Sequence, residues 1–194
     1  QKGKEALKLH LEKKGIATPP TADLAFVLDV SGSFDRQHRD GVTQKLLERL
    51  VPWGMLFDPD QKLDVFTFGS TALHVGDITP ETTERYIQRE IVDQVENYNG
   101  GTVYGEVLEM ALENFGWLNN EGKKAGFFGK LLGAKDEGPA AKRRSIVLFV
   151  TDGDNSDHAE AKRVLDESEK RKDEVYFLFI GIGHASFPFL EKIA

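Results

Sequence analysis

The sequence contains no cysteine, which removes disulfides, thiol nucleophiles and zinc–thiolate sites together. That absence fits a reducing compartment. No apolar run approaches the roughly 20 residues needed to span a bilayer, and the first residues lack a signal-peptide pattern. Basic excess is missing too. The 25 Lys and Arg face 32 Asp and Glu, a net charge of −7, so a broad nucleic-acid-binding surface is not expected. There is also no Walker-type glycine loop. What remains is a chain of 194 residues, 40% hydrophobic and 29% charged, enough for one α/β domain with a real core. It opens at Gln1 rather than methionine, as an excised domain or processed product would.

Residues 1–20 read as an accessory helix and linker. Leu7 and Leu11 stand at helical spacing, Lys13 and Lys14 close the last turn, Gly15 stands at the C-cap, and Pro19–Pro20 stiffen the connector. From Leu24 the pattern becomes strands alternating with helices. Residues 24–30, 146–150 and 175–180 are nearly continuous apolar runs, as in strands covered on both faces of a parallel sheet. Residues 63–68 form another strand, with 72–75 as its antiparallel hairpin partner across Gly69–Ser70. Helices are predicted over 35–51, from Thr79-Pro80-Glu81 through Ile87, Ile91 and Val95, over 103–115, and over 157–172. This order predicts a doubly wound α/β fold: a mostly parallel central sheet, one antiparallel edge strand, and helices on both faces.

Residues 119–144 break the rhythm with five glycines, a proline and an apolar island of Phe127, Phe128, Leu131 and Leu132. The stretch carries +4 and leaves −11 for the rest of the chain. It reads as a basic insertion, either solvated or a docking segment for an anionic partner or lipid surface. Because it follows a helix leading away from the strands' carboxyl ends, it is expected opposite the site described next.

In such a sheet, ligands bind at the carboxyl ends of the strands near the point where strand order reverses. The first strand ends in D-V-S-G-S-F, supplying Asp29, Ser31 and Ser33. The strand at 146–150 ends in T-D-G-D-N-S-D, supplying Asp152. The Y-N-G-G-T-V-Y loop supplies Thr102. Hydroxyl and carboxylate oxygens suit a hard cation, and few protein ligands with retained waters suit magnesium, with manganese or calcium as alternatives. Two carboxylates and three neutral hydroxyls leave the ion a residual pull on an outside anion.

These residues resemble the metal-ion-dependent adhesion site of von Willebrand factor A (VWA) domains, whose pattern is D-x-S-x-S, a later Thr and a later Asp. The resemblance covers residues 21–194 and implies a Rossmann-like VWA fold. It further implies that Ser31, Ser33 and Thr102 ligate the ion, that Asp29 and Asp152 act directly or through water, and that a partner's acidic residue takes the last position. The stretches G-V-T-Q-K-L-L-E-R-L-V-P-W-G and F-D-P-D-Q-K-L-D-V-F-T-F resemble the intracellular bacterial branch of tellurium-resistance and stress-response (TerF-like) proteins. That resemblance implies a cytoplasmic, non-enzymatic protein-interaction domain without catalytic residues. Phe34 stands where many members have methionine, and is expected to affect packing alone.

Other readings stand beside this one. Asp29 could be the nucleophile of a magnesium-dependent phosphohydrolase or phosphotransfer enzyme, with Asp152 as a metal ligand. Ser31 occupies the position where haloacid-dehalogenase-type phosphatases place a second carboxylate. Asp154, Asn155, Asp157 and His158 are either the site's rim or, through Ser156 or Asp157, a cap on the next helix. His184 is a candidate rim residue. Phe66, Phe68, Phe149, Tyr176 and Phe179 read as core.

Overall fold

The computed structural model describes residues 2–94, 100–118, 143–183 and 186–193. Five strands form one sheet: β1 (Asp23–Asp29), β2 (Leu63–Phe68), β3 (Ala72–Ile78), β4 (Ser145–Thr151) and β5 (Val175–Gly181). Their order is β3-β2-β1-β4-β5, parallel throughout except for the antiparallel β2–β3 hairpin. The carboxyl ends of β1 and β4 therefore flank the point where strand order reverses.

Every residue of β1 is buried, which explains its unbroken apolar run. Leu24, Phe26 and Leu28 face one layer with Leu47, Leu50 and Val51 of α3 (Val42–Phe57). Ala25 and Val27 face the other, with Val107, Leu108, Ala111 and Leu112 of α4 (Gly105–Asn114). Also in that second layer are Ala161 and Val164 of α5 (His158–Arg171), and Phe189 of α6 (Pro188–Ile193). The first helix, α1 (Lys2–Lys13), buries none of its residues fully; Leu7 and Leu11 pack against the α3 layer.

Two expected helices take a different form. The stretch 35–51 is interrupted at Gly41, whose φ of +72° suits glycine. It yields a short α2 (Asp35–Arg39) and the longer α3, which carries Pro52 through to Phe57. No α-helix starts at Pro80; turns lead instead to a π-helical segment, Gln88–Val92. Side chains compete for the backbone here. Thr82 Oγ1 accepts from the Thr79 amide at 3.0 Å, and Thr83 Oγ1 donates to the Thr79 carbonyl at 2.7 Å. The Gln44 side chain donates to the Thr83 carbonyl at 2.9 Å and accepts from the Ile87 amide at 3.0 Å. Val95 lies outside the described residues. So do residues 119–142 of the expected insertion and His184.

Phe66, Phe68 and Phe149 are fully buried, as expected, whereas Tyr176 is 60% exposed. Position explains the exception, because β5 is the sheet's edge strand, and Tyr176 and Leu178, two residues apart on one of its faces, are both exposed.

Candidate functional site

At the carboxyl edge of β1, Asp29 is fully buried and both its oxygens are engaged. Oδ1 accepts from the Ser31 amide at 2.8 Å, closing the tight turn that reverses the chain, and Oδ2 accepts from Thr151 Oγ1 at 2.7 Å. Burial pushes the Asp29 carboxyl up, opposed by the hydrogen bonds from Ser31 and Thr151. The turn leaves Ser31 buried and Ser33 exposed. Their hydroxyls lie 3.1 Å apart, and Ser33 Oγ donates to Asp152 Oδ1 at 2.9 Å. Asp29, Ser31, Ser33 and Asp152 thus form one connected group.

Thr102 reaches the same edge through its backbone. Its carbonyl accepts from the amide and the hydroxyl of Ser156, at 2.9 and 3.1 Å. The next amide, of Val103, donates to the Gly69 carbonyl just past β2 at 2.9 Å. Val30 in turn donates to the Phe68 carbonyl at 2.8 Å. The loops after β1, β2 and β4 and the Thr102 segment are therefore stitched into a ring. Gly101 allows one of these approaches, because a Cβ there would stand 2.5 Å from Ser70 Oγ.

Further residues frame the ring, and local sequence patterns did not single them out. Gln37 of α2 donates to Asp152 Oδ2 at 3.2 Å, so Asp152 is held between Ser33 and Gln37. Tyr104 is fully buried; its hydroxyl donates to the Gly153 carbonyl at 2.8 Å and lies 3.0 Å from Thr151 Oγ1. His38 holds the backbone of Asp29. Its Nε2 donates to the Asp29 carbonyl at 2.8 Å, while Nδ1, 2.9 Å from Thr43 Oγ1, accepts from that hydroxyl. Burial pulls the imidazole down to about 4, so it is neutral near pH 7. Most of these partners lie dozens of residues away in sequence. Phe34 is buried and packs edge-on against His38.

The rim residues divide. Asp157 precedes α5, yet its side chain makes no cap bond there. Its carboxylate instead caps α4, accepting from the Tyr104 amide at 2.9 Å and the Gly105 amide at 2.7 Å. Asn155 donates to the same carboxylate at 2.7 Å. Asp154 pairs with His158 at 2.8 Å and accepts from the Phe189 amide at 3.1 Å, tying this loop to α6.

Whether these oxygens suit an ion can be judged from their spacing. Neighbouring ligands in an octahedral magnesium shell, each 2.0–2.1 Å from the ion, lie about 3 Å apart. The spacing of 3.1 Å between Ser31 Oγ and Ser33 Oγ meets that requirement, and the hydrogen bond from Ser33 Oγ at 2.9 Å holds the Asp152 carboxylate beside the pair. A second group, Asp64, His74 and Asp77, brings possible ligand atoms within 4.8 Å of one another. It lies toward the amino half of β2, and Lys62 Nζ already stands 3.3 Å from Asp64 and 3.0 Å from Asp77. An ammonium thus supplies the positive charge there.

A family profile described as the vWA found in the TerF C terminus matches residues 21–194. The chain belongs to the TerF-like von Willebrand factor A domains. It is similar to the uncharacterized protein YcbR of Bacillus subtilis (strain 168), at 26% identity over 98% of this chain and 68% of that one. The manganese-loaded TRAP protein of Plasmodium vivax shares the fold at a TM-score of 0.54 and 17% identity, over 85% of this chain and 58% of that one. So does the mussel byssus proximal thread matrix protein 1 with a zinc-occupied MIDAS motif, at a TM-score of 0.51 and 21% identity. That match covers 91% of this VWA chain but 42% of the mussel protein.

Proposed function

We propose that this VWA domain is a non-enzymatic, divalent-metal-dependent protein-interaction module. Ser31, Ser33 and Thr102 ligate magnesium, or manganese or calcium in its place. Asp29 and Asp152 hold the ion's waters and balance its charge. The remaining position takes an Asp or Glu carboxylate from a protein partner. When bound, the ion supplies a Lewis-acid contact for that carboxylate. The family match supports a place in a cytoplasmic bacterial tellurium-resistance or stress-response system. Among the described residues no helix is long and apolar enough to cross a membrane.

One observation carries this reading: Ser31 Oγ and Ser33 Oγ stand 3.1 Å apart at the carboxyl end of β1, with the Asp152 carboxylate from the loop after β4 2.9 Å from Ser33 Oγ. Burial and double engagement of Asp29 support binding over phosphoryl transfer. A carboxylate with both oxygens committed inside the fold is poorly placed to attack a phosphorus in line.

Isothermal titration of the full chain with MgCl2 tests the proposal. Asp29→Ala should abolish the binding heat. Thermal melting should show a folded variant, destabilised by about 1–3 kcal/mol because the Ser31 amide and Thr151 hydroxyl lose their acceptor. Unchanged magnesium affinity in that variant overturns the assignment. Retention of a partner in a pull-down, lost on chelation, is the expected outcome for the interaction itself.

A further inference from the structure

Thr102 is the one proposed ligand that does not follow a strand of the sheet within a few residues. Residues 100–104 form neither helix nor strand, so other parts of the chain must set the threonine's place. Most of the restraint comes from the loop that carries Asp152. Ser156 binds the Thr102 carbonyl twice, and Asp157 spends one oxygen on the Tyr104 amide and the other on the Gly105 amide. Asn155 steadies the Asp157 carboxylate from within the same loop.

We infer that Asp157 is a positioning residue: it clamps the start of α4 to the loop after β4, so that Thr102 and Asp152 are held at the site as one unit. The inference rests on the metal-binding reading above. Charge favours the clamp, because an anion at a helix N-terminus meets the positive end of the helix dipole and two amides without helical partners. Sterics favour it too. A Cβ at Gly105 would stand 3.0 Å from Asp157 Oδ2 and 2.7 Å from Glu160 Cγ, so glycine leaves the carboxylate room to close. Asp157 is not itself a proposed ligand, since backbone amides occupy both its oxygens.

The test uses the full chain and MnCl2 or MgCl2 alone as probe. Asp157→Asn keeps the shape but replaces one acceptor with a donor facing an amide. It should weaken metal affinity by about tenfold or more, the range seen when a residue supporting a ligand is removed. Ser156→Ala, which alters an exposed hydroxyl, should weaken it less. Thr102→Ala should cost much less affinity in the Asp157→Asn chain than in the native chain, because the threonine is already displaced. Before metal is added, amide exchange at Tyr104, Gly105 and Ser156 should accelerate by about tenfold or more in Asp157→Asn. Equal losses from Thr102→Ala in both chains, or unchanged exchange at those three amides, overturn the clamp. Failure of the metal reading shows separately, as a native chain that binds no metal or an Asp29→Ala chain that binds it normally. The exchange measurement judges the clamp in either case. Should Asp157→Asn fail to fold, Asn155→Ala, which removes the bond that steadies the Asp157 carboxylate, decides by the same two readouts.

Discussion

A buried carboxylate far from the proposed site makes a clear residue-scale prediction. Asp58 is 3% exposed; one oxygen accepts from the Asp60 amide at 2.8 Å and the other is buried without a hydrogen-bond partner among the described residues. Burial, aided by the nearby Asp23 and Asp60 charges and opposed by Arg143 and the Asp60 amide, pushes its carboxyl up to about 6. A group with a raised folded pKa keeps its proton while the unfolded chain has already released it. Its contribution to stability therefore falls as pH rises from about 4 to about 6, and the deficit persists above that. Asp58→Asn retains an acceptor for the Asp60 amide and removes the buried charge. It should stabilise the protein by about 1–2 kcal/mol at pH 7.5, with the gain vanishing near pH 4. Urea unfolding at the two pH values checks this; equal gains at both would contradict the charge argument.

At the scale of the element, the π-helical segment depends on a side chain from another helix. Gln44 of α3 satisfies both the Thr83 carbonyl and the Ile87 amide. Gln44→Ala leaves both without that partner and should cost about 1–3 kcal/mol. Amide exchange at Ile87 should rise with it, while α4 and α5 keep their protection. An α-helix starting at Pro80 would have met these backbone groups within itself. Thr79, Thr82 and Thr83 bind locally instead, so a good helix-start signal yields turns. Gly41 shows the reverse case: a single residue at φ +72° ends one helix and begins the next, with open space around its missing Cβ. Gly41→Ala should cost about 1 kcal/mol through backbone strain alone.

Across the whole molecule, the two ends of the sheet are separate. Trp117 Nε1 donates to Ser145 Oγ at 2.9 Å, which places residues on both sides of 119–142 at the amino end of β4. The proposed metal site stands at the carboxyl ends. Replacing 120–142 with a short flexible linker should leave magnesium affinity within about twofold of the native value, since every ring bond described above is made by residues outside that segment. A large loss in titration would show that the segment reaches the site. Helix α1 is likewise remote, with Gly3 against Pro52 in the second half of α3.

The apolar runs of β1 and β4, and the oxygen-bearing residues just past them, were legible in the sequence because strand burial and turn chemistry act within a few neighbouring positions. The D-x-S-x-S turn is of this kind: Asp29 binds the amide two residues on, and Ser31 and Ser33 share a side of the same bend. Tertiary structure alone decided that Asp157 caps α4 rather than α5, that Gln37 braces Asp152, and that Thr151 satisfies the second oxygen of Asp29. Those bonds join residues 52, 115 and 122 positions apart. Such partners meet only after the strand order sets β1 beside β4, and hydrogen bonds act over about 3 Å of space whatever the separation along the chain.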